Sequence, residues 1–157
     1  MTKEEFTCQA EACRGTMYRV SCAYLRQEAD QLDAVQEALL KAWKCRNQLK
    51  EASYFRTWLT RILIRECVNI QRRQKRMIPS EEVPAPHIAE NGGDTALRDA
   101  ILLLPENMRI PLVLHYMEGY PVDEIAKILR VPKGTVCSRL SRAREQIKKE
   151  LKEDAPC

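Results

Sequence analysis

Hydrophobic side chains recur at intervals of three or four residues along most of the chain, which is the period of an amphipathic α-helix. Before residue 78 this period predicts three helices, over Lys3 to Arg26, Asp30 to Arg46 and Ser53 to Arg76. No run alternates hydrophobic and polar residues between turn residues, as a half-buried strand does. The pattern therefore predicts an all-α protein.

Two of these helices carry hydrophobic stripes that are typical of a buried face. In the second helix the stripe consists of Leu32, Val35, Leu39 and Trp43. In the third it consists of Phe55, Trp58, Leu59, Ile62, Leu63 and Cys67. Because side chains at this spacing share one face, we expect both stripes to lie in the core of a small helical bundle.

The helical pattern stops after Met77, where prolines and glycines are frequent and every charge is acidic. Such a composition is typical of a linker. We therefore predict two small helical domains, residues 1–77 and 94–157, joined by a flexible linker at residues 78–93.

The second domain is expected to begin with two helices, over Thr95 to Leu104 and from Pro105 to about Met117. Proline is favoured in the first turn of a helix, whereas Pro111 further along should bend the second one or mark its early turns. Gly119 is suited to the left-handed conformation that commonly ends a helix.

A helix-turn-helix pattern follows. A short amphipathic helix is predicted over Pro121 to Arg130, a tight break over Val131 to Gly134, and a longer helix from Thr135 to about Leu151. The outer face of the longer helix is polar and basic, which favours binding in the major groove over an ordinary helical hairpin. The residues expected to face inward are Ile125, Ala126, Leu129, Val136, Leu140, Ala143, Ile147 and Leu151.

The charge distribution also points to a polyanion. The net charge is +4, but Arg56 to Arg76 and Arg130 to Lys149 each hold seven basic residues and one acidic residue. Two such segments suggest two contacts with nucleic acid, the alternative being solvated helix faces.

Other classes of protein find little support in the sequence. The 45% hydrophobic content includes no membrane-spanning run or signal peptide, so we expect a cytoplasmic protein with no membrane insertion. The seven cysteines contain no C-x-x-C pair, and the two histidines lie far from them, so no metal site is expected. No nucleotide-binding loop, carboxylate cluster or nucleophile–histidine pattern is present, so we expect no enzyme, catalytic residue, cofactor or small-molecule substrate.

The second domain resembles the C-terminal domain of the extracytoplasmic-function (ECF) class of bacterial sigma factors. The resemblance runs from Leu104 through Leu151. It is carried by Leu104-Pro105, Arg109, Leu112-Val113-Leu114, Tyr116, Glu118-Gly119-Tyr120, Glu124-Ile125-Ala126, Gly134-Thr135-Val136, Ser138-Arg139-Leu140 and Arg142-Ala143-Arg144.

The first domain is similar to the first promoter-binding domain of the same family. The matching residues are Asp33-Ala34-Val35-Gln36-Glu37, Lys41-Ala42-Trp43, Phe55-Arg56-Thr57-Trp58-Leu59, Arg61-Ile62 and Arg72-Arg73. The resemblance implies a transcription-initiation subunit whose partners are core RNA polymerase and promoter DNA. An anti-sigma factor is a further candidate partner.

The resemblance implies three sets of site residues. Core polymerase would be bound by Asp33, Gln36, Glu37 and Leu40. The minus-10 element would be recognised and melted by Tyr54, Trp58, Arg61, Arg65, Asn69, Arg72, Arg73 and Arg76. The minus-35 element would be contacted by Lys133, Cys137, Ser138, Ser141 and Arg142.

Some of these residues have a second possible location or depart from the family pattern. Trp58 shares a helix face with Phe55 and Ile62, so the core is its alternative location, and Tyr54 with the loop at 47–53 is the better candidate for base contact. Asn69 stands where many relatives carry Asp, Arg65 where many carry Asn, and Cys137 where a cation is common. These departures leave the preferred promoter sequence open.

Two alternative functions remain, a helix-turn-helix regulator that acts without polymerase and a sigma-like decoy.

Overall fold

A computed structural model describes residues 1–77 and 95–154, and the linker predicted at 78–93 lies outside the described residues. Throughout those two ranges every regular element is helical. The chain divides into two compact units, Met1–Pro86 and His87–Cys157. The prediction of an all-α protein with two small helical domains is confirmed.

Residues 1–77 of the first unit form four α-helices. They are α1 (Lys3–Ala12), α2 (Arg14–Tyr24), α3 (Glu28–Lys44) and α4 (Phe55–Met77). Two short 3₁₀ turns, Arg46–Gln48 and Ala52–Tyr54, lie between α3 and α4. Helix α4 packs against both α2 and α3, and α2 also contacts α3.

The single helix predicted over Lys3 to Arg26 is wrong, because the chain forms two helices there. A capping box starts α1: the Glu5 amide donates to the Thr2 hydroxyl, and the Thr2 amide donates to the Glu5 carboxylate. The helix is interrupted at Cys13, whose ψ of 2° departs from helical geometry. Gly15, a residue with low helix propensity, follows two positions later.

Alanines, rather than the predicted stripe, form the buried face of α3. Ala34, Ala38 and Ala42 have no exposed surface, and Gln31 is buried beside them. Small side chains at intervals of four let a neighbouring helix approach closely. The prediction that Leu32 belongs to the core is therefore wrong: 56% of this residue is exposed.

The remaining residues of the predicted stripe, Val35, Leu39 and Trp43, are half-buried. Val35 and Leu39 line a groove of about 460 Å³ that α1, α2 and α3 border. The indole of Trp43 packs edge-on against Phe6 of α1, with ring centroids 5.2 Å apart. The groove and this aromatic contact occupy the side of α3 next to its alanine face.

Most of the stripe predicted for α4 lies in the core. Phe55, Leu59, Leu63 and Cys67 have no exposed surface, whereas Trp58 and Ile62 are half-buried at the edge of this face. The ring of Phe55 also packs edge-on against Phe6 at 5.5 Å. Side chains from three helices thus meet in one aromatic cluster.

An ion pair links α3 to α4. The Lys41 ammonium group contacts the carboxylate of Glu66, which is buried, whereas half of the Lys41 side chain is exposed. A buried carboxylate is costly without a cation or hydrogen-bond donors, so this contact constrains which residues of the two helices can face each other.

The second unit contains four α-helices and one π-helical segment. They are α5 (Thr95–Leu103), α6 (Glu106–Leu112), the π segment (Val113–Met117), α7 (Val122–Leu129) and α8 (Lys133–Asp154). Helix α8 packs against α5, α6 and α7. The buried side chains Val136, Leu140 and Ala143 of α8 confirm the inward face predicted for its first half.

The helix predicted from Pro105 to Met117 changes type part-way. Pro105 precedes the first turn of α6, and Pro111 lies inside this helix. Because proline has no N–H, the carbonyl one turn before Pro111 loses its usual partner. The π segment starts two residues later, where the Glu118 amide reaches the Val113 carbonyl at 3.1 Å. Gly119 follows with a φ of +75°, as predicted.

We predict that Lys41→Ala lowers the free energy of unfolding by about 1–3 kcal/mol, because it removes the cation that faces a buried carboxylate. Urea denaturation monitored by circular dichroism measures the change. Lys44→Ala on the same helix is the control, since Lys44 is exposed. Equal stability of the wild type and Lys41→Ala would contradict a stabilising role for the ion pair.

Cysteine reactivity gives a second test of the fold. Cys8 and Cys137 are exposed, whereas burial raises the pKa of the Cys13 and Cys22 thiols, with Arg56 partly opposing this at Cys13. Because the thiolate is the nucleophile, we expect iodoacetamide at pH 8 to modify Cys8 and Cys137 before Cys13 and Cys22, and mass spectrometry identifies the modified peptides.

The same shifts fix the direction of a pH effect. A thiol whose pKa is raised by folding stabilises the folded state below its unfolded pKa, and this contribution is lost as the pH rises through the folded pKa. Stability should therefore decline as the pH rises above about 8.5. Modification of Cys13 as fast as Cys8 in the native protein would contradict its burial.

Candidate functional site

The residues proposed for polymerase binding share one exposed face of α3. Asp33, Gln36, Glu37 and Leu40 lie within two turns of the helix, with Gln36 and Glu37 each three or four positions from both Asp33 and Leu40, and all four are exposed. Leu32 lies on the same face, so two leucines that are 56% and 54% exposed accompany two carboxylates. We call these five residues the α3 face.

Sequence reasoning missed Leu32 because it grouped this leucine with Val35, Leu39 and Trp43 in one stripe assigned to the core. The alanines at positions 34, 38 and 42 carry the signal that identifies the true buried face. Once they face inward, helical geometry directs Leu32 and Leu40 toward solvent. An exposed pair of large hydrophobic side chains with flanking charges has the composition of a protein interface.

The residues proposed for the minus-10 element form a line along α4. From Tyr54 to Arg76 they recur every three or four positions apart from the adjacent Arg72 and Arg73, and Trp58 lies at the edge of the buried stripe. We call these eight residues the α4 face. Arg65, Arg72, Arg73 and Arg76 are exposed. Trp58, Arg61 and Asn69 are half-buried, and no predicted member of this α4 face is fully buried.

At the N-terminal end of α4, the proposed base contacts lie beside the aromatic cluster. Tyr54 closes the second 3₁₀ turn and is half-buried. The ring of Trp58 lies 5.9 Å from that of Phe55, so it is held by the core on one side. All residues of the loop at 47–53 except half-buried Leu49 are exposed, which leaves polar side chains available next to Tyr54.

The start of this loop is fixed by Arg46. Its guanidinium lies 3.8 Å above the ring of Trp43 and donates a hydrogen bond of 2.8 Å to the Trp43 carbonyl. Stacking of this kind contributes about 0.5–2 kcal/mol, depending on solvent exposure. The loop therefore leaves α3 in a defined direction.

The helix-turn-helix is formed by α7 and α8. Arg130 ends α7 in the left-handed conformation, with a φ of 57°, and the Val131 amide reaches back to the Ala126 carbonyl at 3.1 Å. This bond is typical of a helix C-terminus that turns sharply. The hydrophobic side chains of Ile125 and Ile128 are buried, and they hold α7 against α8.

The residues proposed for the minus-35 element lie on the outer side of α8. Lys133, Cys137, Ser138, Ser141 and Arg142 are all exposed. Their positions fall within the first ten residues of the helix, which is the part of a recognition helix that reaches base edges. We call these five residues the α8 face.

Lys133 differs from its predicted placement in the break, because it is the first residue of α8. Its ammonium group lies 3.0 Å from the carboxylate of Asp123 in α7. This hydrogen bond raises the pKa of Lys133, so the side chain stays charged at neutral pH. Sequence analysis assigned no role to Asp123.

A second contact that the sequence analysis did not foresee joins the π segment to α8. The Arg144 guanidinium donates a hydrogen bond to the hydroxyl of Tyr116, a residue that is 54% exposed. The two residues are 28 positions apart, and local periodicity carries no signal for such a pair.

The three faces differ in the chemical groups that they offer for contact. In the part of the chain that the structure describes, no cluster of three or more His, Cys, Asp or Glu side chains is arranged for a metal ion. Among the same residues, no helix is long and apolar enough to cross a membrane. The α4 and α8 faces offer cations and neutral polar groups, as DNA contacts require, whereas the α3 face offers carboxylates and leucines.

Two family models match the chain in agreement with these two units. The model described as Sigma-70 region 2 matches residues 10–77, and the model described as Sigma-70, region 4 matches residues 94–147. The α3 and α4 faces lie within the first match, and the α8 face lies within the second.

Curated relatives agree with the family models. The RNA polymerase sigma-H factor of Pseudomonas aeruginosa is 35% identical over 80% of this chain and 74% of its own length. The ECF RNA polymerase sigma-E factor of Escherichia coli (strain K12) is 35% identical over 73% of this chain and 70% of its own length.

Solved structures show the same fold. The sigma factor RpoE of Bartonella quintana, in complex with the anti-sigma factor NepR, superposes with a TM-score of 0.82 at 25% identity, over 97% of this chain and 99% of that chain. CnrH, in complex with the cytosolic domain of CnrY, gives a TM-score of 0.71 at 19% identity, over 98% and 92%, and shows the fold alone. With both sigma-70 regions matched and relatives at 35% identity, this chain belongs to the ECF class of the sigma-70 family of RNA polymerase sigma factors.

Proposed function

We propose that this sigma factor divides its work among three helix faces. The α3 face binds core RNA polymerase, the α4 face and the loop at 47–53 recognise and open the minus-10 element, and the α8 face binds the minus-35 element. The observation that carries the proposal is the sorting of side chains: each predicted set occupies one side of one helix, apart from Tyr54 in the 3₁₀ turn just before α4.

Docking through the α3 face uses two kinds of contact. The carboxylates of Asp33 and Glu37 attract cationic groups on the polymerase and orient the approach. Leu32 and Leu40 supply apolar area, which contributes about 25 cal/mol for each Å² removed from water. Because α3 is held from behind by its buried alanines, it presents this face as a preformed surface.

Opening of the minus-10 element rests on the exposed arginines and on aromatic stacking. Arg65, Arg72, Arg73 and Arg76 are placed to neutralise successive phosphates, which gives sequence-independent affinity. Stacking of an unpaired base on an aromatic ring contributes about 1–3 kcal/mol, comparable with the few kcal/mol needed to extrude that base. Half-buried Tyr54 and Trp58 offer such rings, so opening of the minus-10 element would need no ATP.

Minus-35 recognition uses the first ten residues of α8. Arg142 can read guanine or hold a phosphate, and the hydroxyls of Ser138 and Ser141 can donate or accept hydrogen bonds. Cys137 adds a small, weakly polar side chain in the middle of this surface, which removes one cationic contact and narrows the set of bases that the face can read by hydrogen bonding.

The same proposal sets the cellular context. A sigma factor acts as a binding subunit while polymerase performs the chemistry, so we propose that this chain is not itself an enzyme and that it acts in the cytoplasm. Because the RpoE structure is a complex with an anti-sigma factor, we include an anti-sigma factor among the partners of this chain.

Reconstitution tests the proposed function. Purified protein is mixed with core RNA polymerase and a pool of promoter fragments. We expect promoter-dependent transcripts and open complexes, detected by permanganate reactivity of unpaired thymines. Duplex binding without any association with core polymerase would instead show a helix-turn-helix regulator that acts alone.

Separate variants test the division of labour. Arg142→Ala should weaken binding to a minus-35 duplex by about tenfold, because a good arginine contact contributes about 1–3 kcal/mol, and should leave core binding unchanged. Glu37→Lys should weaken core binding at least tenfold, because a cation then faces cationic groups, and should leave duplex binding unchanged. Fluorescence anisotropy measures both affinities.

Each variant has a matched control on an exposed site. Lys148→Ala removes a cation from α8 beyond its first ten residues, and Glu4→Lys reverses a charge on α1. Both should behave like the wild type. If Arg142→Ala lowered core binding as much as duplex binding, its role would be structural and the assignment of the α8 face would be wrong.

A further inference from the structure

We propose that Tyr116 is a positioning residue for DNA binding: its hydroxyl holds the Arg144 guanidinium on the side of α8 that carries Lys133 and Cys137, ready to bind a DNA phosphate. This inference rests on the proposed minus-35 role of α8. It adds one phosphate contact, Arg144, and one residue that acts through it.

The side of α8 on which Arg144 lies follows from helical spacing. Residues 133, 137 and 144 are separated by four and seven positions, which places them in one line along the helix. At about 1.5 Å per residue, Arg144 is roughly 16 Å along the axis from Lys133. Base edges are read by the start of a recognition helix, so a cation this far along it meets the phosphate backbone.

Tyr116 reaches α8 from the π segment. Within this segment Val113 and Leu114 are buried, whereas more than half of Tyr116 is exposed. The ring is supported on one side by His115, which packs edge-on with its centroid 4.8 Å away. The His115 ring is itself fixed, because its Nδ1 lies 2.9 Å from the Tyr120 carbonyl oxygen. The ring that carries the hydroxyl to Arg144 is therefore supported on one side.

Arg144 has more hydrogen-bond donors than its contact with Tyr116 uses, so it can bind a second group. A guanidinium has five N–H donors, and the tyrosine hydroxyl accepts from Nη1. The remaining donors can form the paired contacts that arginine makes with a phosphate. Because the phenol is neutral, the full positive charge of Arg144 is kept for DNA.

The benefit is pre-organisation. A free arginine side chain populates many rotamers, and part of this conformational entropy is lost when it binds a phosphate. Restricting Arg144 before DNA arrives reduces that loss, and this strengthens binding without an additional contact. Lys133 is held in a comparable way, but its partner Asp123 is a carboxylate that competes with phosphate for the cation.

A double-mutant cycle tests the inference with the full chain and a random-sequence 20-base-pair DNA duplex, because a phosphate contact does not depend on sequence. Tyr116→Phe keeps the ring and removes the hydroxyl, and we expect it to weaken binding about threefold. Arg144→Ala should weaken binding more strongly and reduce the slope of log K against log salt by about 1. Combining them should add nothing to Arg144→Ala alone.

Two controls accompany the cycle. Tyr18→Phe removes a hydroxyl from an exposed ring of the first unit, and Lys148→Ala removes a cation from the second half of α8. We expect Tyr18→Phe to leave DNA binding unchanged, and we expect the effect of Tyr116→Phe to persist in the Lys148→Ala background. Thermal unfolding of each variant is measured alongside, and Tyr116→Phe should unfold at the wild-type temperature.

Three results would overturn the inference. The first is a threefold loss of DNA affinity from Tyr116→Phe that persists in the Arg144→Ala background. The second is a loss of affinity in Tyr116→Phe that accompanies a lowered unfolding temperature, and the third is an unchanged affinity in Arg144→Ala. Arg142→Ala, measured on a minus-35 duplex, separates these failures from failure of the proposed function. If Arg142→Ala weakens binding to that duplex and Arg144→Ala weakens binding to neither duplex, only the inference falls, whereas no effect from either variant on the minus-35 duplex removes the DNA-binding role of α8.

Discussion

The close contact between α3 and its neighbours, made possible by Ala34, Ala38 and Ala42, is the constraint on which the first domain depends. These methyl groups fill the interface completely, so a larger side chain at any of the three positions would push the helices apart or force strained rotamers. The Lys41–Glu66 ion pair acts on the same helix pair, because it favours the register in which the carboxylate meets its cation. Packing fixes the spacing of α3 and α4, and charge fixes their alignment.

This arrangement has a direct effect on the outer surfaces. Once the small side chains face inward, the large and charged ones of α3 must face outward, and the arginines of α4 lie opposite its buried stripe. The proposed α3 face and most of the proposed minus-10 residues thus belong to one pair of packed helices. Such placement holds side chains more precisely than a loop does, as a protein that binds a large partner and opens DNA requires. In the second domain, the buried side chains of α7 and α8 do the same for the α8 face.

The helical class, the two domains and the helix-turn-helix could all be predicted from the sequence. The proposed site residues are also exposed, except for the half-buried Tyr54, Trp58, Arg61 and Asn69. Sequence reasoning failed at Leu32, because hydrophobicity alone was used to locate the core while the alanines marked it. It also failed at Cys13 and in the π segment, where helices are interrupted by small backbone changes that a period of 3.6 does not reveal. The contacts Asp123–Lys133 and Tyr116–Arg144 depend on tertiary packing and leave no periodic signal in the sequence.

The exposed leucines of α3 give the two proposed attachments different physical sensitivities. Association through Leu32 and Leu40 depends on the release of ordered water, and this driving force weakens on cooling. Association through the arginines of α4 and α8 depends on the release of counterions from DNA, which weakens as ionic strength rises. Cooling would therefore weaken the proposed apolar contact with polymerase, whereas added salt would weaken the proposed contacts with DNA together with the charge attraction of Asp33 and Glu37.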